Sequence, residues 1–156
     1  MDDILTAIAR SDVAAALRFS RWGYAAVNTA HVLGIALLVG AIVPFELRLI
    51  GFWRQVSRAT LVRVLAPVAA TGLLLAVTTG SLLFTVQAPQ YAANPFFLTK
   101  LILIVLGAGV AATLHFVHGF RLEGLSRARS VSVGALSLTC WVGALIAGRL
   151  IAFTGD

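Results

Sequence analysis

The stretch that decides the fold is "WGYAAVNTAHVLGIALLVGAIVPF", residues 22–45, which lies between Arg21 and Glu46 and contains 24 residues without a formal charge. A run of about 18 or more mostly apolar residues is long enough to cross a bilayer as an α-helix. The stretch therefore predicts a transmembrane helix. One imidazole, that of His31, lies inside it and requires an explanation.

Three further runs of the same kind follow along the chain. Residues 101–120 and 130–148 are uncharged over 20 and 19 positions. A third run, 64–99, is uncharged over 36 positions but contains Pro89 and Pro95 near its end, which do not continue a helix. The four predicted transmembrane helices span residues 22–44, 64–86, 99–120 and 131–153.

The composition agrees with this class of protein. Charged residues make up 12% of the chain and the mean hydropathy is +0.96, whereas soluble domains contain about 25% charged residues. Transmembrane β-strands are short and alternating, and these runs are continuous. We therefore expect an all-α integral membrane four-helix bundle that forms a single domain over residues 1–156.

The mixed, Ala-rich residues 3–19 predict a helix on the membrane surface. The lone Cys140 excludes an internal disulfide.

The distribution of Lys and Arg predicts the orientation in the membrane. Seven arginines lie in the loops at 46–63 and 121–130, and five basic residues lie on the opposite side. Because cytoplasmic loops carry the excess of positive charge, both termini are expected outside, in the periplasm. The net charge of +6 indicates contact with anionic lipids rather than with nucleic acid. Small-residue pairs such as Ala30 and Gly34 allow helices to approach closely and leave open a membrane-protein partner or a homo-oligomer.

Polar side chains are expected to meet in the outer part of the bundle. His31 lies about nine residues below the outer end of the first transmembrane helix, and Asn28 lies three residues above it on the same face. The second helix runs in the opposite direction, which brings Thr78 and Thr79 to a similar depth. The cations nearest this level are Lys100, at the start of the third helix, and Arg149, at the outer end of the fourth.

Histidine inside a membrane suggests a cofactor, because neutral imidazole is a common ligand of haem and of metal ions. One hypothesis is that His31 and His115 hold haem b or a metal, with Lys100 or Arg149 facing the haem propionates. His118 shares a helix face with His115 and is a further candidate metal ligand. On the predicted boundaries His31 and His115 differ in depth by about 10 Å. A haem bound through His31 alone fits that spacing better. The alternative is an interhelical hydrogen bond from His31 to a threonine.

Several segments resemble a known group of proteins. These are "HVLGIALLVG" (31–40), "PFELRLIG" (44–51), "TTGSLLF" (78–84) and "YAANPFFLTKLIL" (91–103). Together they resemble a group of small bacterial four-helix membrane proteins that are similar to the membrane domain of the copper-resistance D family. The resemblance implies a location in the bacterial inner membrane and a metal-handling role centred on His31. Copper itself is less expected than haem, because Met1 and Cys140 are the only soft ligands.

Three functions remain open at this point. The first is a haem-binding, redox-linked membrane protein with a role in electron transport, the second a copper or small-solute permease, and the third a non-catalytic accessory subunit of a larger membrane complex. No pattern typical of a hydrolase or a transferase occurs, and whether the protein is an enzyme stays open. The neighbouring Glu46 and Arg48 are predicted to lie in a solvated turn. The segment 87–98 is predicted to fold over the mouth of the bundle above His31 or to dock a partner.

Overall fold

The computed structural model describes residues 2–118 and 126–154, which form helices joined by short connections and contain no strand. The predicted all-α class is confirmed. In chain order the helices are α1 (Asp2–Ala9), α2 (Asp12–Phe19), α3 (Arg21–Ile50), α4 (Arg58–Val86), α5 (Ala88–Ala93), α6 (Pro95–His118) and α7 (Arg127–Leu150), and a short 3₁₀ turn (Ile151–Phe153) follows.

Four of these helices, α3, α4, α6 and α7, are long and apolar enough to cross a membrane, and the chain is a multi-pass membrane protein. Successive long helices run in opposite directions. The start of α3 and the end of α7 therefore lie at one end of the bundle, called here the upper end, and the α3–α4 and α6–α7 connections lie at the lower end. Helix α3 packs against both α4 and α7, and α7 packs against α6 on its other side.

Glycines set the close approach between α3 and α4. A Cβ added to Gly34 would lie 2.6 Å from the backbone nitrogen of Ala76, and one added to Gly72 would lie 2.5 Å from that of Leu38. The two backbones are thus in direct contact, which is the packing expected of small residues in membrane helices. By contrast, a Cβ on Gly40 would meet no described atom within 4 Å, so Gly40 does not set a close approach between helices.

The first long helix does not end at its proline. It was predicted to end at residue 44, but α3 continues through Pro44 to Ile50 and ends at Gly51, whose φ is 129°. A proline costs a membrane helix one backbone hydrogen bond, which neighbouring groups replace, so that it is tolerated there. As a consequence Glu46 lies within the helix and is buried, with an exposed fraction of 5%. The prediction that Glu46 lies in a solvated turn is wrong.

The predicted surface helix is divided in two. Ser11 separates α1 from α2, because its hydroxyl caps α2 by accepting a hydrogen bond from the Ala14 amide. Helix α2 packs against α3 and α4, and α1 packs against α5. Arg18 joins these elements by donating to the carbonyl of Ala9 at 3.0 Å and to that of Val86 at 2.8 Å. The pair of helices thus packs over the upper end of the bundle.

Candidate functional site

The His31 side chain is fixed against α4 by hydrogen bonds from one ring nitrogen. Its Nδ1 lies 2.9 Å from the carbonyl oxygen of Ala76 and 3.2 Å from the Thr79 hydroxyl oxygen. A backbone carbonyl only accepts hydrogen bonds, so Nδ1 must carry the proton. In the neutral imidazole the lone pair is then on Nε2. This is the arrangement typical of histidine ligands, in which a carbonyl holds one nitrogen and the other binds the ligand.

The two threonines that were expected near His31 have different surroundings. Thr79 is buried, and its hydroxyl donates to the carbonyl of Leu75 at 2.6 Å while it accepts from the imidazole. The hydroxyl of Thr78 donates to the carbonyl of Leu74 at 2.8 Å, and the residue is exposed on the outside of α4. Since successive helical residues are rotated by about 100°, only one of the two can face α3. The structure places Thr79, and not Thr78, beside His31.

Gly80 provides the space for the imidazole ring. A Cβ at this position would lie 2.9 Å from Cε1 and 3.3 Å from Nδ1 of His31. Real Cβ atoms do not approach a ring that closely, so any larger residue would displace the imidazole. Gly80 is a site residue that the sequence analysis missed. The available signal was a glycine next to Thr79 inside an otherwise apolar helix.

His31 forms part of the wall of a cavity of about 820 Å³ at the upper end of the bundle. The cavity lies between α3, α4, α5, α6 and the end of α7. Among the described residues that line it, Lys100 is the only one with a fixed charge, and no carboxylate is present. The other polar lining residues are neutral: Tyr24, Asn28, Gln87, Gln90, Tyr91, Asn94 and Thr154. Such a lining favours a ligand with negative charge and hydrogen-bonding groups.

Lys100 reaches the cavity from the first turns of α6. Its stem passes over Gly148 of α7, where an added Cβ would lie 3.2 Å from the lysine Cδ. The ammonium nitrogen lies 5.3 Å from the centre of the Phe97 ring, within the range of a cation–π contact. Asn28, one turn above His31, lines the same cavity. The cavity therefore brings together three of the predicted site residues, Asn28, His31 and Lys100, and a fourth, Thr79, contacts His31 from α4.

The segment 87–98 covers this cavity. It forms the short helix α5 and the start of α6, and its residues line the cavity together with His31. Tyr91 and Phe97 stack on each other and on Phe84, with ring centres 5.4 to 6.3 Å apart. Burial, and then the neighbouring Tyr24, raise the pKa of the Tyr91 phenol above its usual range, so its hydroxyl stays a neutral hydrogen-bond donor. The segment folds over the mouth of the bundle, as its sequence predicts.

Asn94 fixes the turn between α5 and α6. Its Oδ1 accepts hydrogen bonds from the amides of Phe96 and Phe97, at 2.9 and 3.3 Å, and so caps the start of α6. Its Nδ2 donates to the Thr154 hydroxyl at 3.1 Å, which ties the turn to the end of the described chain. Both ends of the Asn94 side-chain amide therefore hold the turn between α5 and α6 in place.

Arg149 does not line the cavity. It is exposed, and its guanidinium carbon lies 5.0 Å from the centre of the Phe153 ring. Its helical neighbour Gly148 faces the cavity, and a rotation of about 100° per residue turns Arg149 away. The expectation that Arg149 faces a ligand beside His31 does not agree with this placement.

The other two predicted ligands, His115 and His118, have side chains outside the described residues. Their backbone lies in α6, 15 and 18 positions beyond Lys100. At a rise of 1.5 Å per residue these positions are about 22 and 27 Å further down the helix. Both positions therefore lie well below Lys100, the cavity residue on the same helix.

Comparison of the chain with protein-family models, with curated proteins and with solved structures gave no match.

Proposed function

We propose that the upper cavity binds haem b, that Nε2 of His31 would hold the iron, and that the protein has a redox-linked role in its membrane. The observation that carries this proposal is the 2.9 Å contact between Nδ1 of His31 and the Ala76 carbonyl. It fixes the tautomer that leaves Nε2 free for a ligand, and the same imidazole lines the cavity of about 820 Å³. Pockets for small molecules and cofactors usually measure about 300–1,000 Å³.

The number of nitrogen ligands favours haem over a bare metal ion. A porphyrin supplies four ligands itself and needs only one or two from the protein. Among the side chains that the structure describes, which do not include those of His115 and His118, no group of three His, Cys, Asp or Glu comes together to hold an ion. The soft ligand Cys140 lies against Gly107, which is seven positions, or about 10 Å, below Lys100 on α6. Copper binding therefore has less support than haem binding.

The charge of the lining supports an anionic cofactor. The propionates of haem b are negative, and the Lys100 ammonium lies in the cavity wall with no lining carboxylate beside it among the described residues. A charge-assisted hydrogen bond from an ammonium to a carboxylate is roughly twice as strong as a neutral one. The aromatic rings of Phe84, Tyr91 and Phe97 offer an apolar wall for the macrocycle. Asn28 supplies a further hydrogen-bonding group one turn above the proposed ligand.

A visible absorption spectrum tests the proposal directly. The protein, expressed in cells supplied with a haem precursor and purified in mild detergent, is expected to show a Soret band. His31→Ala is expected to abolish the band while the protein still inserts into the membrane. Thr78→Ala is the matched control, because Thr78 is at the same depth on α4 but is exposed and does not contact His31. That control should keep the full band.

A second variant separates the ligand from the charge. Lys100→Met keeps much of the apolar stem but removes the ammonium, so haem should still bind through His31 but dissociate faster. The proposal is wrong if wild-type protein reconstituted with haemin shows no Soret band, or if His31→Ala retains it. Elemental analysis of the same samples identifies a metal held without a porphyrin.

A further inference from the structure

A second polar site lies in the lower half of the bundle, between α3 and α7. Glu46 is 15 residues beyond His31 on α3, which is about 22 Å along the helix axis. It is 95% buried, because its exposed fraction is 5%. Gly134 of α7 permits this burial: an added Cβ there would lie 3.2 Å from the Glu46 carbonyl oxygen and 3.0 Å from Cβ of Leu49. The site is thus separate from the cavity at the upper end.

The Glu46 carboxyl faces the Ser137 hydroxyl. Side chains of a helix tilt toward its N-terminus, so Glu46 leans upward from the level of Gly134. Because α7 runs in the opposite direction, one turn up from Gly134 is Ser137, and the carboxyl lies next to that hydroxyl. Both Oε2 of Glu46 and Oγ of Ser137 are buried, and neither atom has a hydrogen-bond partner among the described residues. The two groups are thus adjacent, and one oxygen of each is buried without a partner in the described part of the chain.

The nearest cation on the same helix is engaged elsewhere. Arg48 donates from Nε to the carbonyl of Val56 at 2.7 Å and from Nη2 to that of Arg54 at 3.0 Å. Residues two apart on a helix point to different faces, so Arg48 faces the α3–α4 connection and not α7. It satisfies carbonyls of that connection instead of neutralising Glu46.

The neighbouring helices present apolar side chains around Leu49, the residue one turn below Glu46. These are Val62 and Ala66 of α4, Leu114 of α6 and Val133 of α7. The titratable or charged side chains on these helices nearest this level are Arg58, Arg63, Arg127, Arg129 and Cys140. None of these five side chains forms an ion pair with Glu46 in the described part of the chain. Arg58 is partly buried, and the other three arginines are exposed. Cys140 is buried. The side chain of His115, which follows Leu114, lies outside the described residues.

A carboxylate in this position would be a buried charge with no counter-ion among the described side chains, which is costly in any protein interior and more so within a membrane protein. A carboxylic acid removes the charge and provides an O–H donor for the hydroxyl beside it. A metal cation is a poorer occupant. The two buried, unpartnered hydroxyls on this face of α7, Ser130 and Ser137, are seven residues or about 10 Å apart, so they do not reach one ion.

We propose that Glu46 is a proton-binding site within the bundle, and that at neutral pH its carboxyl is protonated and donates a hydrogen bond to the Ser137 hydroxyl. Loss of the proton puts a negative charge between α3 and α7. The packing of these two helices is therefore expected to weaken as the pH rises.

Infrared spectroscopy of the protein in lipid vesicles near neutral pH tests the proposal. Exposed carboxyl groups, with pKa values of about 4, are ionised under these conditions and give no acid C=O band. Wild-type protein is expected to show an acid C=O band that shifts in D₂O and disappears as the pH is raised. Glu46→Gln removes the band and keeps the shape of the side chain. Asp12→Asn, which changes an exposed acid of α2, is the matched control and keeps the band.

A second variant tests the hydrogen bond without a change at position 46. Ser137→Ala removes the proposed acceptor, and the acid C=O band should remain but shift in frequency. This comparison keeps the proposal testable even if Glu46→Gln fails to insert. An ionised Glu46 that pairs with a cation gives no acid band in the wild type at any pH at which the protein is folded, and that result overturns the proposal. An acid band that persists unchanged in Glu46→Gln also overturns it.

Discussion

A single methyl group at Gly80 should displace the proposed ligand without touching His31 itself. The added Cβ of Gly80→Ala would lie 2.9 Å from Cε1 and 3.3 Å from Nδ1 of the imidazole. Ordinary carbon contacts are about 3.5–4.0 Å, so the ring must move away from α4 by roughly 0.5–1 Å. The hydrogen bond from Nδ1 to the Ala76 carbonyl is 2.9 Å long. A movement of that size takes it beyond the normal range of about 2.7–3.2 Å.

The effect on stability follows from three opposing contributions. Overpacking of a close contact costs about 1–3 kcal/mol, and the loss of a hydrogen bond inside a membrane protein costs about 0.6–1.7 kcal/mol. Alanine is more favourable than glycine in a helix by up to about 1 kcal/mol, which offsets part of this cost. We therefore expect Gly80→Ala to lower the free energy of unfolding by about 1–3 kcal/mol. It should also reduce haem retention, because Nε2 moves together with the ring.

Gly40→Ala is the matched control, since it adds the same methyl group to α3 at a position with nothing within 4 Å. Its expected effect is neutral or stabilising by up to about 1 kcal/mol. The measurement is unfolding in mixed micelles of increasing denaturing detergent, followed by circular dichroism, together with the Soret absorbance of the same samples. Equal stability and equal haem content in the two variants would show that Gly80 does not hold the imidazole in place.

Three other changes test separate parts of the structure. Gly34→Ala places a Cβ 2.6 Å from the Ala76 backbone nitrogen, so in the same unfolding assay it should cost at least as much as Gly80→Ala, and equality with Gly40→Ala would contradict the backbone contact. Arg18→Ala removes the bonds to the Ala9 and Val86 carbonyls, so hydrogen exchange should rise in α1 and α2 and stay unchanged in α4; uniform protection would show that Arg18 does not hold them. Trp141→Phe deletes a buried indole N–H that has no partner among the described residues; it should be far less destabilising than Trp141→Ala, which costs about 3–5 kcal/mol, and similar losses would contradict the unpaired N–H.

The sequence predicted the parts of the fold that depend on length and polarity alone. Four apolar runs of sufficient length gave the four long helices, because the bilayer sets a minimum length for a helix that crosses it. The ends were harder to predict. The first helix was predicted to end at residue 44, but α3 continues through Pro44 to Ile50, because in a membrane helix the lost hydrogen bond is replaced by neighbouring groups. Ser11 separates α1 from α2 because its side chain caps the start of α2. The average composition of residues 3–19 does not reveal a cap made by one side chain.

The site was predicted in outline because depth follows from residue number in antiparallel helices. Helix α4 returns past α3, and so Thr79 arrives at the level of His31. Rotation about the helix axis is less certain than depth, because an error of one residue turns a side chain by about 100°. That is why Thr78 and Thr79 were both expected beside the imidazole, and why Arg149 was expected at the cavity that its neighbour Gly148 faces.

The sequence predicted that His31 is held inside the bundle but did not predict that Glu46 is buried, and this difference has a physical cause. His31 lies well inside the span, where lipid offers no hydrogen bond, so its sequence position alone required a partner within the protein. Glu46 lies only four residues before the end of α3, where water is an equally reasonable partner. Its burial depends on Gly134, a residue 88 positions later in the chain, whose missing side chain lets α7 approach the Glu46 carbonyl. A polar residue near the end of an apolar run is therefore exposed or buried according to the size of a distant neighbour, and only the assembled bundle shows which.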